Sequence, residues 1–177
     1  MSLQTVPGSI QQKLLVTRLL AMSLAGGLLV FLAVAVLATQ GRSGSDTGSA
    51  VPLTTLAAVL WTVTLVLSFV LFQRRASPFA LARYALGRDD ESALHAIHLP
   101  LQSACLVRWA LLEGPALFAA VVLFLHRVDV RAQPVLLVDL IMVLISATLI
   151  LLTVPGEATL RELVRLARRA TATAPRR

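Results

Sequence analysis

Four long apolar runs, separated by shorter polar stretches, dominate the pattern of this chain. Leu19 to Thr39 and Val51 to Phe72 carry no charge. Cys105 to Leu125 carries only Arg108 and Glu113, and Pro134 to Val154 only Asp139. Each run is about 20 residues, the length a helix needs to cross the hydrocarbon of a bilayer. The pattern predicts an all-α polytopic membrane protein, one membrane domain over 1–177. Its four transmembrane helices lie at about 19–39, 51–72, 105–125 and 134–154, with short amphipathic helices on the cytoplasmic side.

Taken in order, Met1 to Thr17 is a polar-to-mixed lead. The uncharged run after it exceeds the 7–15 residue core of a signal peptide, which favours a retained helix. Ala21 and Ala25, and Ser23 and Gly27, are small pairs four apart, a spacing that lets helix backbones approach in lipid. Gln40 to Ala50 is rich in Gly and Ser and predicts a loop. Pro52 suits the first turn of the second helix. Trp61 falls mid-span, as a packing residue. Thr62, Thr64 and Ser68 are placed to bond back to their own helix.

The polar segment 73–104 is predicted to lie in the cytoplasm. Ser77-Pro78 signals a helix start and Gly87 a stop, a short helix suited to the headgroup region. Asp89-Asp90-Glu91 opens another helix that runs toward Arg108, bent or broken near Pro100, so that it and the third span can form one long helix with a cytoplasmic extension. His126 to Gln133 predicts a short turn, and Pro155-Gly156 the end of the fourth span. Glu157 to Ala170 predicts a basic amphipathic helix. Leu160, Leu163, Val164 and Ala167 share one face, and Arg161, Arg165, Arg168 and Arg169 lie largely off it. The tail from Thr171 is predicted to be disordered.

Composition agrees with the pattern: 57% of the 177 residues are hydrophobic and 14% charged, far from a soluble average. The net charge of +7 would suggest nucleic acid in a soluble chain. Here the basic residues are not on one polar domain, so no nucleic-acid partner is expected. Twelve of them flank the spans on one side: Lys13 and Arg18, Arg74, Arg75, Arg83 and Arg88, and the six C-terminal arginines. Only Arg42, Arg127 and Arg131 fall in the other two loops. The bias places the basic side, and both termini, in the cytoplasm of a bacterial inner membrane. The single lysine among so many arginines reads as GC-rich bacterial coding. The bilayer is the expected partner, with anionic lipid under the C-terminal helix and a protein partner or homo-oligomer also open. The lone Cys105 allows no intrachain disulfide and reads as a small apolar residue.

Candidate chemistry centres on Glu113. If the third span starts near Leu106, Glu113 lies about 10 Å inside the boundary. An ionised carboxylate there costs roughly 2.5–3.5 kcal/mol, so the group must be protonated, paired or beside water. Ala110, Ala116, Leu117 and Ala120 share its helix face, which suits contact with another helix. Pro115 removes one backbone donor and frees the Leu111 carbonyl. Two readings stand: a proton- or cation-binding carboxyl, or a structural group that fixes helix packing. Arg108, five residues earlier, is about 140° around the helix. It is expected to snorkel to the interface, or to pair with Glu113 across another helix or with Glu157. Asp139, Ser146 and Thr153 are spaced by seven on one face of the fourth helix. They read either as one polar track crossing the bundle, with Asp139 at one end and Glu113 toward the other, or as a near-interface aspartate with two hydroxyls satisfied locally. Glu91, His95 and His98 form too weak a pattern to predict a metal, and no cofactor motif, nucleophile triad or internal repeat is found. No enzyme is expected.

Arg108-Trp109-Ala110-Leu111-Leu112-Glu113-Gly114-Pro115-Ala116-Leu117-Phe118 resembles the R-x-A-L-x-E-G/A-x-A-L-F helix of small, uncharacterised four-helix bacterial inner-membrane proteins. That resemblance implies the four-span layout and brings no activity with it. The same helix is distantly similar to the carboxylate helix of the rotary ATP synthase c subunit, which implies a titrating Glu113. The chain departs from that second pattern in its four spans and in lacking a glycine-rich first helix. The expectation is a non-catalytic structural or accessory membrane component, with ion or proton handling at Glu113 as the alternative.

Overall fold

A computed structural model describes residues 8–39, 50–85, 87–126 and 134–172. The expected loops and tail, with Arg42, Arg127, Arg131, Arg176 and Arg177, lie outside the described residues, save for a few helical residues at their edges. The described residues form six helices and no strand: α1 (Gly8–Thr39), α2 (Ala50–Ala76), α3 (Pro78–Ala85), α4 (Asp90–His126), α5 (Pro134–Leu152) and α6 (Glu157–Ala172). Four of them, α1, α2, α4 and α5, are long and apolar enough to cross a membrane, as in a multi-pass membrane protein.

One of these helices starts earlier than the sequence expectation, and another decides between alternatives the sequence leaves open. The mixed lead is already helical from Gly8. Gln, Lys and Leu are strong helix formers, and Ile10, Leu14 and Thr17 bury one face of the added turns. At Pro100 the sequence leaves open a break or one long third helix with an extension before the span, and the second holds: α4 runs unbroken through both Pro100 and Pro115 for 37 residues. A proline deletes one donor only, and a helix packed along its length holds through that loss.

The chain divides into two compact units. One comprises Met1–Leu20, Phe69–Arg108 and Val154–Arg177. Its core is built from Leu81, Ala82 and Ala85 of α3, Ala93, Ile97 and Leu101 of α4, and Leu160, Val164 and Ala167 of α6. Helices α3 and α6 pack on each other, so the apolar face of α6 is occupied within the chain. Ser77 caps α3 by accepting from the Ala80 N–H at 3.2 Å. Gly87 stops the chain past α3 with φ of 68°, a left-handed conformation cheap only for glycine. Arg168 of α6 ties the start of α4 with a 2.6 Å ion pair to Asp90, and donates to the Arg88 carbonyl.

The other unit comprises Ala21–Ser68 and Trp109–Thr153. Along α1, Ala21, Ala25, Leu28, Leu32 and Ala35 are buried in a continuous stripe. Of the two small pairs, Ala21/Ala25 therefore faces in, whereas Ser23 and Gly27 are exposed. Small side chains also line the α4 contribution, at Ala116, Ala119 and Ala120. Val59, Val63 and Val66 of α2, with Ile141 and Leu144 of α5, are exposed. An apolar surface of that kind is what a lipid-embedded helix presents.

Candidate functional site

The second unit carries a ladder of polar contacts between helices. Near the start of α2, the Thr54 hydroxyl donates to Asp139 Oδ2 at 2.6 Å. Both residues are buried, Asp139 completely. Seven residues further along each helix, Trp61 Nε1 donates to Ser146 Oγ at 2.8 Å. One heptad beyond Ser146, Thr153 accepts from Trp109 Nε1 of α4 at 3.1 Å. Thr153 in turn donates to the Leu149 carbonyl at 2.7 Å. Asp139, Ser146 and Thr153 thus each engage another helix.

The local causes are plain. Pro52 sits in the first turn of α2, where its missing N–H is harmless, and the helix that follows places Thr54 and Trp61 on one face. A seven-residue step turns a helix through nearly two full turns, so residues at that spacing stay aligned. Thr62, Thr64 and Ser68 bond back to the carbonyls of Ala58, Leu60 and Leu65 and are satisfied within α2, as the sequence suggested. Trp61 does more than fill space: its ring N–H is a cross-helix donor.

Glu113 stands apart from the ladder. Its side chain is half-buried, and among the described residues it has no hydrogen-bond or ion-pair partner. Of the residues expected on its face, Ala116 and Ala120 are buried, while Ala110 and Leu117 are exposed. Gly114 is exposed as well, with open space where a side chain would stand. The carboxyl group therefore lies at the margin between an alanine-lined inner face and an outward face made of Ala110, Gly114 and Leu117.

Arg108 belongs to the first unit and is half-buried. Its guanidinium stacks over the Phe72 ring at 4.9 Å, within the range of a cation–π contact. Its Nε is buried without a hydrogen-bond partner among the described residues. Glu157, one partner considered for it, pairs instead with Arg161 at 2.7 Å. Comparison with protein-family models, curated proteins and solved structures returns no match to this chain. The functional reading therefore rests on these side chains alone.

Among the described residues no group of three or more His, Cys, Asp or Glu side chains is arranged to hold a metal ion. Glu91 is exposed while His98 is buried, so the two do not present a common ligand set. Cys105 is buried as a free thiol. Thr54 and Trp61 are the site residues that sequence reasoning missed. Their signal was available: with Ser68 they repeat on α2 the same spacing of seven that marks Asp139, Ser146 and Thr153 on α5.

Proposed function

We propose that this protein is a non-catalytic structural or accessory component of a bacterial inner membrane, with both termini in the cytoplasm. Its internal polar groups hold its own helices together, and Glu113 serves a contact with a partner helix. The single observation that carries this reading is the contrast between Asp139 and Glu113. The first acid is buried and bonded across helices, whereas the second has no partner among the described residues and borders an exposed Ala110, Gly114 and Leu117 face. A carboxyl group left facing hydrocarbon is costly, and a donor from a neighbouring helix removes that cost. Small residues beside it allow the close approach such a donor needs. The basic flanks, including the arginine face of α6, lie against anionic headgroups in this reading.

The same unpartnered carboxyl also supports a second reading, in which Glu113 carries a proton or cation. Glu113→Gln separates the two. In a packing role the amide still bonds across the interface, and co-purification from native membranes in mild detergent persists, while Glu113→Leu abolishes it. In a proton-handling role Glu113→Gln protein assembles normally but loses pH-dependent flux in reconstituted vesicles. Flux that is present in wild type and lost in Glu113→Gln contradicts the accessory reading.

A further inference from the structure

The first unit contains a groove of about 430 Å³ between α1 and α4, lined by Gln12, Lys13, Val16, His98, Leu99 and Gln102. We propose that it binds the phosphate group of an anionic phospholipid, with Lys13 and His98 on the phosphate and the acyl chain leaving over Val16 and Leu99.

Three features point to that ligand. The first is charge: among the described residues of the lining Lys13 is a cation and none is a carboxylate, and His98 lies within electrostatic reach of Lys13. A cation is repelled from such a site and an anion is drawn in. The second is an orphaned donor or acceptor. His98 is only 3% exposed, yet its Nδ1 has no hydrogen-bond partner among the described residues. A buried imidazole N–H without a partner is costly, and a turn of the His98 ring toward the groove it lines lets a phosphate oxygen accept from it. Gln12 and Gln102 add amide donors on either wall.

The third is the amphiphilic shape of the surroundings. Val16 and Leu99 are 47% and 66% exposed at the groove edge. On α1 the exposed apolar surface continues through Leu15, Leu19 and Leu20. Lys13, with Arg18 five residues on, precedes the uncharged part of α1 that begins at Leu19, at the depth where headgroups meet hydrocarbon. A free phosphate ion would satisfy Lys13 and His98 but leave the apolar edge uncovered.

The test is native mass spectrometry of the full chain in detergent, titrated with phosphatidylglycerol, phosphatidylcholine or inorganic phosphate. Wild-type protein should retain phosphatidylglycerol in preference to phosphatidylcholine. Lys13→Ala and Gln102→Leu, at an exposed and a half-buried position, should each weaken that retention, Lys13→Ala by about tenfold for one lost charge-assisted contact. Thr55→Ala, at an exposed position of α2 in the other unit and outside the basic flanks, should leave it unchanged. Millimolar phosphate that fails to displace phosphatidylglycerol supports the lipid as the source. Displacement at that concentration supports phosphate recognition with a soluble source and removes the acyl-chain part of the proposal. Equal retention by Lys13→Ala and wild type, or an equal loss in Thr55→Ala, overturns the site.

Discussion

Thr54 and Asp139 are 85 positions apart in the chain and are joined by a 2.6 Å hydrogen bond, and Trp61 and Ser146 repeat that separation one heptad on. Equal offsets at two successive rungs mean that α2 and α5 run parallel, with their polar faces in register. Burying a hydroxyl or a carboxyl in an apolar bundle is favourable only when each meets a partner, so the matched spacing favours this register over a slipped one. Any shift of α5 by one residue would break both rungs.

This predicts measurable coupling between the two residues. In reversible unfolding in mixed micelles, a double-mutant cycle of Thr54→Val and Asp139→Ala should give an interaction energy of about 0.6–1.7 kcal/mol, the range for hydrogen bonds between membrane helices. Asp139→Asn keeps an acceptor and should fall well short of Asp139→Ala. Strict additivity in the cycle would show that the bond contributes nothing to stability.

At the Thr153 rung the loss depends on which partner is removed. Thr153→Val strips the acceptor from the fully buried Trp109 ring, leaving an indole N–H with nothing to bond. The expected destabilisation is about 1–3 kcal/mol. Thr153→Ser retains the hydroxyl and should restore most of it. If Val and Ser behave alike in thermal unfolding, the hydrogen bond is not what matters there.

A pH dependence is expected at the start of α4. The exposed Asp89 carboxylate accepts from the Ser92 N–H, and hydrogen bonding from Ser92 holds its pKa below the usual aspartate value. A folded pKa below the unfolded one makes the capping contribution complete above the unfolded value. It is lost as pH falls through the lower folded value. Backbone chemical shifts of Asp90 to Ala93 should therefore move toward coil in acid, and Asp89→Ala should show the coil-like shifts already at neutral pH.

The ion pair from Arg168 to Asp90 is short but its side chains are 45% and 76% exposed. Solvent screens such a pair, so Arg168→Ala should change stability by only about 0–1 kcal/mol. The difference should shrink further in high salt. The packing of Leu160, Val164 and Ala167 holds α6 in place, and Val164→Asp should detach it where Arg168→Ala does not.

Much of the fold was legible in four apolar runs, because hydrocarbon length sets how long such runs must be. The Ser77 cap, the Gly87 stop and the Pro155-Gly156 terminus also follow from local chemistry. Pro100 left a break and a single long helix both open, because one missing donor decides nothing without the packing along α4 that carries the helix past it. The spacing of Asp139, Ser146 and Thr153 was visible, but not that each hydroxyl or carboxyl reached another helix. Partner choice depends on how α2 and α4 rotate, and apolar residues on every side of a spanning helix leave that rotation unmarked. The same ambiguity hid the position of Glu113. Ala110, Ala116, Leu117 and Ala120 share its face in sequence, yet two are buried and two exposed. In water the exposed pair would have been polar and would have marked the outer side.

The most direct measurement places a photo-reactive side chain at Gly114, beside Glu113, in native membranes. An accessory role predicts a defined protein adduct that forms with Glu113 intact and disappears in Glu113→Leu. Adducts with lipid alone, unchanged by that substitution, would contradict it.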